Sequence, residues 1–173
     1  MGNPNLPQNP TYLSPTLPVN GTTEVEQIMI GGTPTGGSFV LRYNNQNTGP
    51  ITWVNNNTTL INAVQTALRS LPSIGNTGVT ITAGGGLVNG VGPLIATFGG
   101  PLAKLAMSPI SVVSNGLTGT SPTVGVSVTT PGVTADGRQS RQGQLCVAAD
   151  TGKLYVNTGT SPNPVWVREA TIP

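Results

Sequence analysis

The chain has 173 residues, of which only 7% are charged, and its formal net charge of +2 comes from seven cations against five acids, with no histidine. So sparse a charge excludes a nucleic-acid surface, which needs clustered cations facing phosphates. The absence of His excludes a Ser-His-Asp triad and a histidine metal site. Gly (24) and Pro (16) are abundant, yet short runs of Val, Ile and Leu recur, so the composition describes a turn-rich β protein rather than a disordered one.

Residues 1–22 carry Pro4, Pro7, Pro10, Pro15 and Pro18, which predicts an extended segment poor in internal hydrogen bonds. Ordering such a backbone costs on the order of 20–40 kcal/mol. Its own contacts cannot recover that, so the segment is either a loose tail or an arm ordered along another subunit or a larger surface. Spaced apolar anchors favour docking, and Leu6, Tyr12, Leu13, Leu17 and Val19 are the candidate partner-binding residues. The first residues have neither a positive n-region nor an apolar h-region, so no secretory signal is expected. No apolar run is long enough for a membrane span.

Residues 23–133 read as the folded body. Glu24–Ile30 is strand-like and ends at Gly31-Gly32; the Thr33-Pro34-Thr35-Gly36-Gly37 run predicts a turn, with Phe39–Tyr43 returning as the second arm of a hairpin. Asn44–Asn47 turns the chain, and Ile51–Val54 leads into the one clearly helical stretch. There Leu60, Ile61, Val64, Ala67, Leu68 and Leu71 share one side of a helix over about 57–71, capped by Asn57 or Thr58 and ended by Pro72 and Gly75. Val79–Thr82, Leu94–Phe98, Ile110–Val113 and Val124–Val128 follow as strands, with a short helical turn within 102–107. Gly84–Gly86 and Gly90–Gly92 lack the residues of a phosphate cradle and read as a mobile loop.

Residues 134–173 shift in composition and hold seven of the twelve charged residues. Gly143–Val147 and Lys153–Asn157 predict a hairpin about Asp150-Thr151-Gly152, with Val165–Val167 as a third strand. Cys146 stands alone, so no internal disulfide forms, and it reads as a small buried side chain. Glu24 and Glu26 share a strand face, a possible carboxylate pair, but a solvated face is the simpler reading. No catalytic, metal or cofactor residues are expected, and the chain does not read as an enzyme. The fold class is α+β, mainly β: a small antiparallel sheet or sandwich with one amphipathic helix, an extended N-terminal arm and a C-terminal β-hairpin element.

These motifs carry a resemblance. The T-P-T-G-G run, the helix after an Asn/Thr-rich cap ending in L-P-x-I-G, the V-T-I-T strand and the I-x-T-F-x-G-x-L-A strand, in that order, resemble a module of bacteriophage virion proteins. Related repeats occur in some large bacterial surface proteins. The pattern G-Q-L-C-V…T-G-K-L-Y-V-N-T-G-T-S-P-N-P-V-W resembles an element near the C-termini of phage head-decoration and fibre proteins. The resemblance implies a head-decoration (cement) protein on the virion surface, made in the host cytoplasm. It would bind the major capsid protein and associate as a homotrimer, with Tyr155 and Trp166 as candidate subunit contacts. The alternative is a receptor- or glycan-binding fibre module, with Trp53, Tyr43, Tyr155 or Trp166 stacking on sugar rings.

Overall fold

The computed structural model describes residues 12–14 (backbone only), 20–135, 143–148, 153–160 and 164–168. Its elements in chain order are β1 (Tyr12–Ser14), β2 (Val25–Tyr43), β3 (Gln46–Asn47), β4 (Ile51–Thr52), α1 (Asn57–Arg69), β5 (Val79–Ala83), β6 (Gly92–Phe98), a 3-10 turn (Gly100–Leu102), β7 (Ser111–Thr130), β8 (Leu145–Ala148), β9 (Leu154–Asn157) and β10 (Trp166–Arg168). The chain is mainly β, as expected; the described residues hold one α-helix, and their strands pair antiparallel apart from β1 and β8. It divides into two compact units: Thr22–Val133, and Met1–Gly21 with Thr134–Pro173.

The first unit is organised by a ribbon that the sequence reading divided differently. β2 does not turn back at Thr33–Gly37. It continues through that run, and its two halves pair not with each other but with β7, from Val25↔Thr130 to Arg42↔Ser111. β7 likewise joins into one strand the two segments expected at 110–113 and 124–128. The Gly/Pro run still bends the chain, but it bends both strands together. Register shifts fall at Gly31/Thr33 and Pro34/Gly36, and bulges of this kind sharpen local bend and twist. Asn115 Nδ2 donates to the Pro122 carbonyl at 2.9 Å, whereas seven residues of straight strand span about 23 Å. The ribbon therefore folds back on itself. Gly32 (φ +75°) and Gly37 (φ +88°) permit the fold: a Cβ on either would collide with a backbone oxygen of β7, that of Ser121 or Gly116.

Folding the ribbon gives one core two walls. Ile28 and Ile30 come from the first half of β2, and Phe39, Leu41 and Tyr43 from the second. Leu94, Ala96 and Phe98 of β6 and Val79 and Ile81 of β5 join them. The sheet order is β3-β2-β6-β5, with β4 and β7 also paired to β2. Asn44 and Asn45 both have positive φ and form the two-residue turn from β2 into β3.

The helix covers this core with Leu60, Val64 and Leu68, and Leu71 just beyond it is also buried. Its cap is Asn56, not Asn57 or Thr58: Asn56 Oδ1 accepts from the Thr59 amide at 2.9 Å. The regular helix ends at Arg69, two residues short of the expected limit, and the Gly75 amide closes the following turn on the Leu71 carbonyl at 2.9 Å. Asn57 is left for another task. It accepts from the Gly90 amide at 2.8 Å and donates to the Leu87 carbonyl at 2.9 Å, while Trp53 Nε1 donates to the Gly90 carbonyl at 2.8 Å. With Leu87 buried and Val88 bridged to Val91, the glycine-rich loop expected to be mobile is tied down.

In the other unit the strand order is β1-β8-β9-β10. β8 and β9 pair antiparallel (Cys146↔Tyr155), as the hairpin expectation has it, and β10 adds as the third strand (Val167↔Val156). Asn157 fixes the β9–β10 connection, its Oδ1 accepting from Gly159 at 3.0 Å and Val165 at 2.9 Å. The N-terminal arm supplies a fourth strand: Tyr12–Ser14 lies parallel to β8, with Leu13 opposite Val147. That strand's partner is its own chain, an outcome the two alternatives of loose tail or intermolecular docking did not include.

Candidate functional site

Two features of the body stand out: the unequal edges of its sheet and a pair of buried acids. The bonds from Gly99 to the Gly78 carbonyl (2.9 Å) and from Gly84 to the Pro93 carbonyl (2.8 Å) turn the backbone of Gly78 and Gly84 toward β6. Alternation then leaves Val79 and Ile81 facing outward. The helix closes that edge. Arg69 Nε donates to the Val79 carbonyl at 2.8 Å, and Gln65 Oε1 accepts from the Ile81 amide at 3.0 Å.

The β7 edge is built differently. The bond from the Phe98 amide to the Glu24 carbonyl (3.1 Å) assigns even-numbered residues at the start of β2 to β6 and odd-numbered ones to β7. With Gln27 opposite Ser127 and Met29 opposite Gly125, the backbone groups of Val124, Val126 and Val128 face away from the sheet. Among the described residues β7 pairs with β2 alone. No residue from Ser111 to Thr130 is charged, and Val113 and Val128 are exposed at 42% and 39%. Monomeric proteins protect an edge with charge, Pro, bulges or a cover. Here Pro122 lies at the bend, where Asn115 already ties β7 to itself, and further register shifts fall at Val113 and Thr129, toward the two ends of the strand. The stretch Thr123–Val128 between them pairs in unbroken register and carries neither Pro nor charge.

The acids overturn the reading of a solvated face. Glu26 is fully buried and Glu24 is 4% exposed. Both Glu26 oxygens accept from the Ile110 amide, at 3.1 and 3.0 Å. Glu24 Oε2 accepts from Gly132 at 3.1 Å and Met107 at 3.3 Å, while Glu24 Oε1 is buried without a partner. Burial, chiefly, pushes the Glu26 carboxyl up to about 8; the Ile110 amide opposes this and the neighbouring Glu24 adds to it. Burial and then the two carboxyls also raise the Tyr43 phenol. The sequence did hold a signal for this burial: Glu24 and Glu26 are in phase with Ile28 and Ile30, so the strand's alternation puts all four on the core side.

The other site residues scatter. Leu6, Leu17 and Val19 lie outside the described residues, as does the Asp150-Thr151-Gly152 turn, and Tyr12 and Leu13 fall in β1. Tyr155 is half-buried and Trp166 is 5% exposed, so little of the Trp166 ring is open to another molecule. Trp53 and Tyr43 are also buried, so neither presents a face to a sugar ring. A polar depression of about 210 Å³ is lined by Arg42, Asn44, Asn45, Ser108, Pro109 and Ser111. Arg42 Nε is engaged there by Asn47 Oδ1 at 2.8 Å. Among the described residues no group of three or more His, Cys, Asp or Glu could hold a metal ion, and no helix is long and apolar enough to cross a membrane. No protein-family model matches the chain, and no curated protein matches it.

Proposed function

We propose that this chain is a non-catalytic structural protein of a bacteriophage particle: a head-decoration (cement) protein that binds the major capsid protein, stabilises the shell and associates as a homotrimer. The observation that carries the reading is the open, uncharged edge of β7. A long edge strand without charge suits a protein whose backbone is completed by a neighbour, since main-chain bonds give affinity without needing a charged patch. Several weak contacts held in one assembly raise avidity through effective concentration. A partner that binds only the assembled shell stabilises it by mass action.

The test is electron microscopy and thermal challenge of particles made with and without the protein. Density on the shell, and a lower disruption temperature when the protein is absent, support the reading. Purified particles that never contain the protein sink it. Particles of normal strength that fail to adsorb to cells would favour the receptor- or glycan-binding fibre module instead. In that case the polar depression beside Arg42, rather than the buried aromatics, is the place to look for a ligand.

A further inference from the structure

We infer that Glu24 and Glu26 share a single proton, and that this proton latches the Gly99–Ile110 connection and the end of the body at Gly132 onto the start of β2. The argument begins with geometry. Glu26 has no exposed surface, and its carboxyl receives the Ile110 amide; Glu24 receives the amides of Met107 and Gly132. These are three separate points at which loop backbone is held by side chains of one strand end. Glu24 Oε1 takes no donor from the described residues, and Glu26 lies two residues along on the same buried face of the strand. On the proposal, a hydrogen bond joins the two carboxyls; it needs one proton between them, and that proton is the donor the orphaned oxygen lacks. Without it, two carboxylates would face each other where solvent cannot screen them.

The surroundings offer little compensation. β6 and β7, on either side of Glu26, carry no titratable side chain. Tyr43 is the other acid facing the pair, and its phenol stays protonated well past neutrality. Lys104, half-buried, is the only charged residue in the connection, and its backbone amide donates to Thr23 Oγ1 at 3.3 Å. The sign of the linkage follows. The folded state keeps a proton that the unfolded chain gives up, so the latch contributes fully below about pH 4.5 and is lost as pH rises through about 8. The result is a clasp that loosens in base, at the place where both ends of the body meet.

Urea titrations of the full chain between pH 5 and 9.5, with native-state amide exchange at Met107, Ile110 and Gly132, test this. The wild type should lose stability as pH rises toward 8, and those three amides should exchange faster above pH 8 than base catalysis alone accounts for. Glu26→Gln keeps the shape and supplies a permanent N–H donor toward Glu24, so it should flatten both profiles. Wild-type stability that is level from pH 6 to 9, or a Glu26→Gln profile that still tracks the wild type, overturns the proposal. Should Glu26→Gln fail to fold, carboxyl carbon shifts of the wild type decide: a Glu26 titration near 8 upholds the shared proton, and one below pH 6 refutes it.

Discussion

The two edges of the body's sheet solve one problem in opposite ways. On β5 the helix reaches over and meets the outward backbone with side chains, Arg69 on the Val79 carbonyl and Gln65 on the Ile81 amide. On β7 the outward groups of Val124, Val126 and Val128 have, among the described residues, no strand beside them, and no charge discourages one. An edge that must stay single is covered, and an edge left bare is available for pairing. The contrast teaches that this chain spends side chains where contact is unwanted and leaves plain backbone where, on the proposed function, contact is wanted.

The contrast can be broken at the helix, where the effect should be largest. Leu68 is fully buried at the centre of the helical stripe. Leu68→Ala should cost about 2–5 kcal/mol by lost burial and the cavity left behind, read as a lower urea midpoint. An unchanged midpoint would mean the helix is not packed as described. Next in size is Gln65→Ala, which leaves the Ile81 amide unpaired in a half-buried setting and should cost about 1–3 kcal/mol. With Arg69→Ala added, β5 should begin to behave like β7, and light scattering should detect new self-association. If the double variant stays as dispersed as the parent, the two side chains are not what guards that edge.

Val128→Lys should have the smallest effect on folding, within about 0.5 kcal/mol for a partly exposed site, and a clear effect on assembly. A lysine on an open edge opposes strand addition. Binding to shells, or self-association, should therefore weaken while the urea midpoint holds. Shell binding equal to the parent would remove β7 as the contact surface.

What the sequence disclosed depended on whether the deciding interaction was local. The 3.6-residue spacing of Leu60, Val64 and Leu68 is local, and the helix lies where that spacing puts it. Asn44-Asn45 is a local turn and was legible for the same reason, as was the β8–β9 pairing. The Thr33–Gly37 run was legible as a bend but not as a bend of two strands, because Pro34 lies opposite Gly119, a partner no short window contains. The open edge was equally hidden: Ser, Thr, Val and Gly in β7 look the same whether one side of the strand is paired or both are. Glu24 and Glu26 are a different failure. Their phase with Ile28 and Ile30 points to the core, whereas an acidic side chain taken by itself points to solvent. The arm's place beside β8 had no signal, since backbone pairing of three residues leaves no pattern in side chains.

The ribbon also sets the order of events during synthesis. Thr129 Oγ1 donates to the Val25 carbonyl across 104 positions of chain, so nearly all of the body must emerge from the ribosome before its longest ladder can zip. Contacts so distant in sequence slow the search for the native state. Until then the early strand waits with one flank open, which makes the nascent chain most vulnerable to sticking to its siblings in the interval before β7 arrives.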